Sequence, residues 1–513
     1  MWDVIVIGSG FGASVTALRL AERGQRVLVL EKGRRFAADD FPRSNRELKR
    51  WLWAPQLGFR GPFRLSFFRH LTALSGVGVG GGSLVYANTL PFPDDAFFRA
   101  SGWAHLADWR SELEPHYRTA QKMLGATANQ RPAQADHALS QMAARLGRGK
   151  DYALNPVGVY FGQEGVTTSD PYFQGRGPDR TGCVGCGGCM LGCRFNAKNT
   201  LDKNYLWLAE REGVTVRAET EVTWVAPAQD GYIVTAGGEQ LRARRVVFSG
   251  GVLGTIPLLL RLKASSDGLP RLSERLGDFV RTNSEALIGV VSSQQHRDFS
   301  MGVAIGSILR TDQHSHIEPC RYPAGSDFFR YLCAPHVAGS SASQRFKNLF
   351  STLLRNPGGY WRAITSDRHA ERTTILLYMR TIDGYMRLRW GRSAWTGFQQ
   401  GLMTAAGEGP MPTNDIPEAT ELARQYCKEV DGYALSLFSE TLLGIPSTAH
   451  ILGGACMGRD IGEGVIDRDH QVFGYPGLYV IDGSAVSSNP GVNPALTITA
   501  LAERAVSKME VSA

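Results

Sequence analysis

The sequence predicts an α/β fold, and three observations predict it. The chain opens on a short apolar run, Asp3-Val4-Ile5-Val6-Ile7, that passes directly into a glycine turn and a helix-patterned segment. A second apolar run, Arg26 to Leu30, follows closely. Glycine is abundant, 59 of 513 residues, against roughly 7% in ordinary proteins. It gathers in short loops at 8–12, 76–82, 182–192 and 250–254, where backbone approaches a ligand.

Hydrophobic residues at 43% and charged residues at 20% exclude a disordered chain, and the glycines have no collagen period. The length suggests two or three domain-sized units. A net charge of +8 is modest over this length, and no Lys/Arg-rich run is present, so no nucleic-acid partner is expected. No basic, apolar and small-residue leader pattern opens the chain, which makes the cytoplasm the default expectation. No uninterrupted apolar run reaches membrane-spanning length.

The first apolar run has the character of a parallel strand buried on both faces. Gly8-Ser9-Gly10-Phe11-Gly12-Ala13 follows, then a helix from Ser14 to Arg23 that stops at Gly24. This is the G-x-G-x-x-(G/A) pattern in its strand–turn–helix setting. Gly8 permits the tight turn, Gly10 lets backbone approach a pyrophosphate, and small Ala13 lets helix and strand pack closely. The helix N-terminus offers free N–H groups to phosphates. Glu31 closes the second strand about twenty positions on, where a carboxylate accepts ribose hydroxyls. The pattern predicts a dinucleotide and does not separate flavin from nicotinamide.

Gly76 to Asn88 forms a second glycine loop, which continues into apolar Leu84-Val85-Tyr86 rather than linker filler. Arg245 to Phe248 is a strand that meets Ser249-Gly250-Gly251. Near the C-terminus, Leu478 to Ile481 ends in Asp482-Gly483, and Ser488 to Thr499 leads into a helix. His450 stands alone before Gly453-Gly454. Cys183, Cys186, Cys189 and Cys193 have the spacing of a bacterial ferredoxin half-site, with Arg194 where that pattern has proline. An iron–sulfur cluster, a zinc site and a loop of free thiols are the readings of this segment. Phe346, Leu349, Phe350, Leu353 and Leu354 recur at helical spacing, flanked by Arg345, Lys347 and Arg355. That stripe is either core-facing or an interfacial helix or lid at a membrane surface.

The chain resembles the glucose–methanol–choline oxidoreductases, nearly end to end. GSGFGAS at 8–14, GVGGGSLVYAN at 78–88, SGGVLGT at 249–255, HILGG at 450–454 and DGSAVSSNPGVNPALTITALAER at 482–504 carry the resemblance. Within the family it is similar to the cholesterol-oxidase-like bacterial branch. Two departures stand near the ring and the substrate: Ile451 replaces the usual proline, and Tyr86-Ala87 replaces an Asn-Gly pair.

The resemblance implies non-covalent FAD. Its site would draw on Gly8, Gly10, Phe11, Gly12, Ala13 and Glu31 for the ADP half, and on Gly78, Gly80, Gly81, Gly82, Ser83 and Asn88 against the ring. Val222, Gly250, Asp482, Gly483, Asn493 and Pro494 would complete it. It implies His450 as base and Asn493 as its partner, with Glu318 as a candidate second base. It implies a discontinuous, three-layer Rossmann-type FAD domain at 1–90, 200–290 and 447–513. A substrate domain with a mostly antiparallel sheet would come from 91–199 and 291–446, with the cysteine loop 182–194. The three-iron ligands of the glucose-dehydrogenase relatives match Cys183, Cys189 and Cys193. The expected activity is oxidation of a bulky apolar alcohol, sterol- or terpenoid-like, with oxygen as acceptor. A dehydrogenase that passes electrons through the cysteine loop to a protein or quinone is the alternative, and a redox-neutral flavoprotein the third.

Overall fold

The first apolar run forms the strand Trp2–Ile7, and Val4, Ile5 and Val6 are fully buried because a parallel neighbour covers each edge. Val4 stands opposite Val27 on one side, and Ile7 stands opposite Phe248 on the other. In this computed structural model, which describes residues 1–510, the sheet has seven strands. Their order is Thr215–Arg217, Val27–Leu30, Trp2–Ile7, Glu239–Phe248, Gly231–Ala236 and Val222–Ala228. Leu478–Val480 pairs in parallel with the far end of Glu239–Phe248. The helices Phe11–Ala21, Tyr205–Arg211 and Ala495–Lys508 pack beside it.

Gly12 is what lets the first helix close onto this sheet. A Cβ there would lie 1.7 Å from the carbonyl oxygen of Ile481, so only glycine fits. Gly8 turns the chain at φ +101° in a region that favours glycine.

The second sheet also has seven strands, all antiparallel: Cys333–Pro335, Gly432–Leu437, Ala286–Ser292, Thr373–Arg380, Ser315–Cys320, Ser307–Arg310 and Tyr152–Leu154. Side chains alternate across it. Ala286, Ile288 and Val290 pack on the helices Gln134–Arg145 and Pro417–Val430. Leu287, Gly289 and Val291, with Glu285 before them, face the other way, into a cavity. The fold is therefore α/β, a Rossmann-type unit joined to an antiparallel sheet with helices.

Two boundaries differ from expectation. Position 290 falls inside a strand of the second sheet, because Ala286–Ser292 pairs with Thr373–Arg380 and Gly432–Leu437. The helix Trp109–Met123 packs on Ala495–Lys508, and Tyr117 donates to Thr497 Oγ1 at 2.9 Å, so part of 91–199 belongs to the first core. Among the described residues, no helix is long and apolar enough to cross a membrane.

Gly12→Ala is expected to cost about 1–3 kcal/mol or more by overpacking, read as a lowered melting temperature or insoluble protein. Gly149→Ala, where an added Cβ meets nothing within 4 Å, should stay within about 0.5 kcal/mol of the parent.

Candidate active site

The two sheets enclose one cavity of about 1220 Å³. An ordinary ligand pocket has about 300–1,000 Å³, so a dinucleotide and a second molecule both have room. At one end lie Gly8, Gly10, Phe11 and Gly12, with Glu31, Gly81, Gly82 and Val222. The helix Phe11–Ala21 begins at Gly10 and the helix Val252–Lys263 at Gly251, both with no side-chain cap. Their free N–H groups face a cavity and suit phosphate.

Two buried carboxylates border this end. Glu31 accepts from Ser9 Oγ at 2.7 Å and from the Gly33 amide at 2.8 Å, and burial raises its pKa. Asp482 accepts from the Gly251 amide at 2.8 Å and from Thr255 Oγ1 at 2.6 Å, and burial raises it too. Each would accept a further donor, such as a ribose or ribityl hydroxyl of a bound dinucleotide. Gly250, Gly483 and Pro494 complete the wall. Uncapped helix starts, buried acids and glycine backbone together fit FAD.

At the junction of the sheets lie His450, Asn493 and Glu285. His450 sits between Ser447–Thr448, which pair with Thr72 and Ala73, and Leu452, whose backbone bonds to Arg281 in both directions. Its Nδ1 is 2.9 Å from Glu285 Oε2. Thr448 Oγ1 donates to the other oxygen of Glu285 and accepts from the His450 amide at 2.9 Å. Burial works against protonation of His450, but the Glu285 carboxylate outweighs it and raises the pKa. With Nδ1–H directed at Glu285, Nε2 is the basic atom. Asn493 Nδ2 is 3.4 Å from that atom, and Asn493 Oδ1 has no partner. Leu287, Val291, Ile305, Ile375, Leu377 and Leu435 give this end apolar walls.

Glu285 had no signal in the sequence beyond being the one charge before an apolar strand. Glu318, the expected second base, does not line the cavity. It is fully buried and accepts from Asn155 Nδ2 at 2.9 Å, and burial raises its pKa to about 7. His450 and the Asn493 side chain partly offset that rise, and Glu318 in turn helps to raise the pKa of His450. Neighbouring His316 is pushed down to about 3 by burial.

Five expected cofactor residues support the wall from behind. Ala13 is buried in helix packing. The Gly78 carbonyl accepts from Ser9, and the Gly80 amide donates to Ser9 at 3.1 Å. Ser83 Oγ accepts from the Leu201 amide at 3.0 Å. Asn88 adopts φ 59° and its carbonyl accepts from the Gly158 amide.

The cysteine loop holds the residues expected as metal ligands. Among the described residues, no group of three His, Cys, Asp or Glu side chains is arranged to hold a metal ion. Cys183, Cys186, Cys189 and Cys193 are all free thiols. Burial pushes Cys183 up to about 11 and Cys189 up to about 12. Lys198 shares the loop: its Nζ donates to the Leu84 carbonyl at 3.0 Å and the Cys189 carbonyl at 2.7 Å, and burial pulls it to about 7. Lys198 thus ties the cysteine loop to the glycine turn.

A family model described as GMC oxidoreductase matches residues 394–502, and one described as FAD dependent oxidoreductase matches 3–282. The chain is 42% identical to a cholesterol oxidase of Acinetobacter baumannii, over 99% of this chain and 94% of that one. It is 43% identical to a cholesterol oxidase of Mycobacterium tuberculosis, over 99% and 90%. Among solved structures it resembles pyridoxine 4-oxidase from Mesorbium loti, with TM-score 0.62 and 15% identity over 99% of each chain.

Glu285→Gln is expected to lower kcat/KM by about 10²-fold and to move the acid limb of the pH–rate profile to lower pH, since a base raised by Glu285 loses that support. Glu318→Gln, one step removed from the cavity, should lose less than about tenfold. Steady-state kinetics across pH separates the two.

Proposed function

Because the chain belongs to the glucose–methanol–choline oxidoreductase family, we propose that it oxidises the hydroxyl of a bulky, apolar, sterol-like alcohol to a carbonyl, with oxygen as final acceptor. It is an FAD-dependent alcohol oxidoreductase. FAD, bound without a covalent link, supplies the hydride acceptor.

The observation that carries the reading is the placement of the Glu285–His450 pair at the meeting of the glycine cradle and an apolar chamber. His450 Nε2 accepts the hydroxyl proton, and the adjacent Glu285 stabilises the imidazolium that forms. Asn493 Nδ2 holds the alcohol oxygen beside Nε2. The apolar walls hold a ring system and keep water from the site. After proton transfer, charged His450 favours the anions formed as oxygen is reduced. Glu318 acts as a positioning carboxylate behind Asn493. A sterol resides in lipid, so the enzyme collects its substrate at a membrane surface, and association with a membrane is part of this proposal.

Aerobic turnover with a panel of sterols, terpenols and long-chain alcohols tests this. We expect hydrogen peroxide in equal amount to the carbonyl, and a preference for ring alcohols. A reduced enzyme that ignores oxygen yet reduces a quinone dye would remove oxygen from the proposal. Preference for short polar alcohols would remove the sterol-like substrate.

A further inference from the structure

The helix Ala342–Arg355 is attached to the protein by its polar side. Arg345 is its one buried residue, and Arg345 Nη1 donates to the Gly339 carbonyl at 2.9 Å. Asn348, three positions on, donates to the Ala338 carbonyl at 2.8 Å. The apolar stripe points the other way: Phe346 is 67% exposed, Phe350 59% and Leu354 66%. A helix of a water-soluble protein buries its apolar stripe; this one presents it to solvent. Trp361, on the next helix Pro357–Thr365, is 70% exposed, and Leu443 is exposed on the neighbouring turn Ser439–Leu443.

Charge indicates what covers this face. Residues 328–366 contain five basic residues and no acidic one. Lys347, Arg355 and Arg362 are exposed among the apolar side chains. A second copy of the chain would bring the same positive charges onto the patch, which opposes a symmetric self-contact. An anionic bilayer meets both requirements, because aromatic and aliphatic side chains enter the headgroup boundary while Lys and Arg pair with lipid phosphates.

The patch also adjoins the alcohol chamber. Cys333 and Leu437 pair across their strands and both line the cavity. Their chain neighbours Tyr331 and Phe438 are exposed on the outside.

We propose that the solvent-facing apolar side of Ala342–Arg355, with Trp361 and Leu443, docks in the plane of an anionic membrane and brings the chamber wall Cys333/Leu437 against the lipid. The docking stands on the patch itself; substrate transfer from the membrane rests on the function proposed above.

The test is co-sedimentation of the FAD-loaded enzyme with vesicles of phosphatidylcholine, alone or with about 30% phosphatidylglycerol. We expect the parent protein to pellet with the anionic vesicles at low salt, and less with the neutral ones. The triple variant F346S/F350S/L354S should bind at least about tenfold more weakly, and K347E/R355E should lose the preference for anionic lipid. All these positions are exposed, so the variants should fold, and turnover of a detergent-dispersed alcohol should stay within about twofold of the parent. Turnover of the same alcohol embedded in anionic vesicles should fall about tenfold in the triple variant. A parent protein that stays in the supernatant with anionic vesicles, or variants that bind as the parent does, would overturn the proposal. A parent that forms a dimer broken by the triple substitution, without vesicle binding, would assign the face to a second copy and overturn it equally. If no sterol is oxidised in detergent or vesicles, the substrate assignment fails, while sedimentation still decides the docking.

Discussion

The buried pair of His450 and Glu285 is the contact on which the architecture of the site depends. Glu285 immediately precedes the strand Ala286–Ser292 of the antiparallel sheet. His450 comes from the segment that Leu452 and Arg281 tie down by paired backbone bonds. A carboxylate and an imidazole 2.9 Å apart in the protein interior need each other, since either left alone would carry an unpaired buried polar group. Their union fixes which ring nitrogen faces the chamber. It also joins the second sheet to the segment that follows Thr448, beside the backbone bonds of Arg281 to Leu452 and the bond from Asn283 Nδ2 to the Val492 carbonyl.

The chamber around that pair is sparing with polarity. One face of the second sheet supplies aliphatic side chains at alternate positions, and the opposite face packs on helices. His450, Asn493 and Glu285 gather near the reacting position, with Glu318 behind them. Such a site orients a molecule by a single oxygen and accommodates its body by shape. The same preference for apolar surface continues outside, where a helix is held by Arg345 and Asn348 and turns its phenylalanines outward.

The cofactor end was legible in sequence because its physics is local. A turn that must approach phosphate needs glycine at set intervals after a strand, and Gly8, Gly10, Gly12 and Glu31 all border the cavity as that reasoning requires. His450 and Asn493 were legible through the family resemblance, and the structure brings them together although 43 positions separate them. Glu285 was not legible, since its partner lies 165 positions away and no spacing links them. Gly78, Gly80, Ser83 and Asn88 lie behind the cavity wall and hold the turn through Ser9, Leu201 and Gly158; a glycine motif does not by itself separate wall from support. Cysteine spacing suggested a cluster, and Cys183, Cys189 and Cys193 pack in one buried group, but spacing alone does not report how deeply each thiol is buried. The stripe at Phe346–Leu354 shows a similar limit: periodicity identifies an apolar side but not what it faces.

The central claim is that Glu285 holds His450 with Nδ1 protonated and Nε2 free toward the chamber. Nitrogen-15 spectra of the FAD-loaded protein with labelled histidine, recorded across pH, test it most directly. The resonance lost on His450→Gln is predicted to keep its Nδ1 proton when neutral and to titrate above the ordinary value of about 6.5, and that elevation should disappear in Glu285→Gln. A His450 resonance that is neutral in the Nε2–H form, or that titrates at or below the ordinary value, would contradict the account.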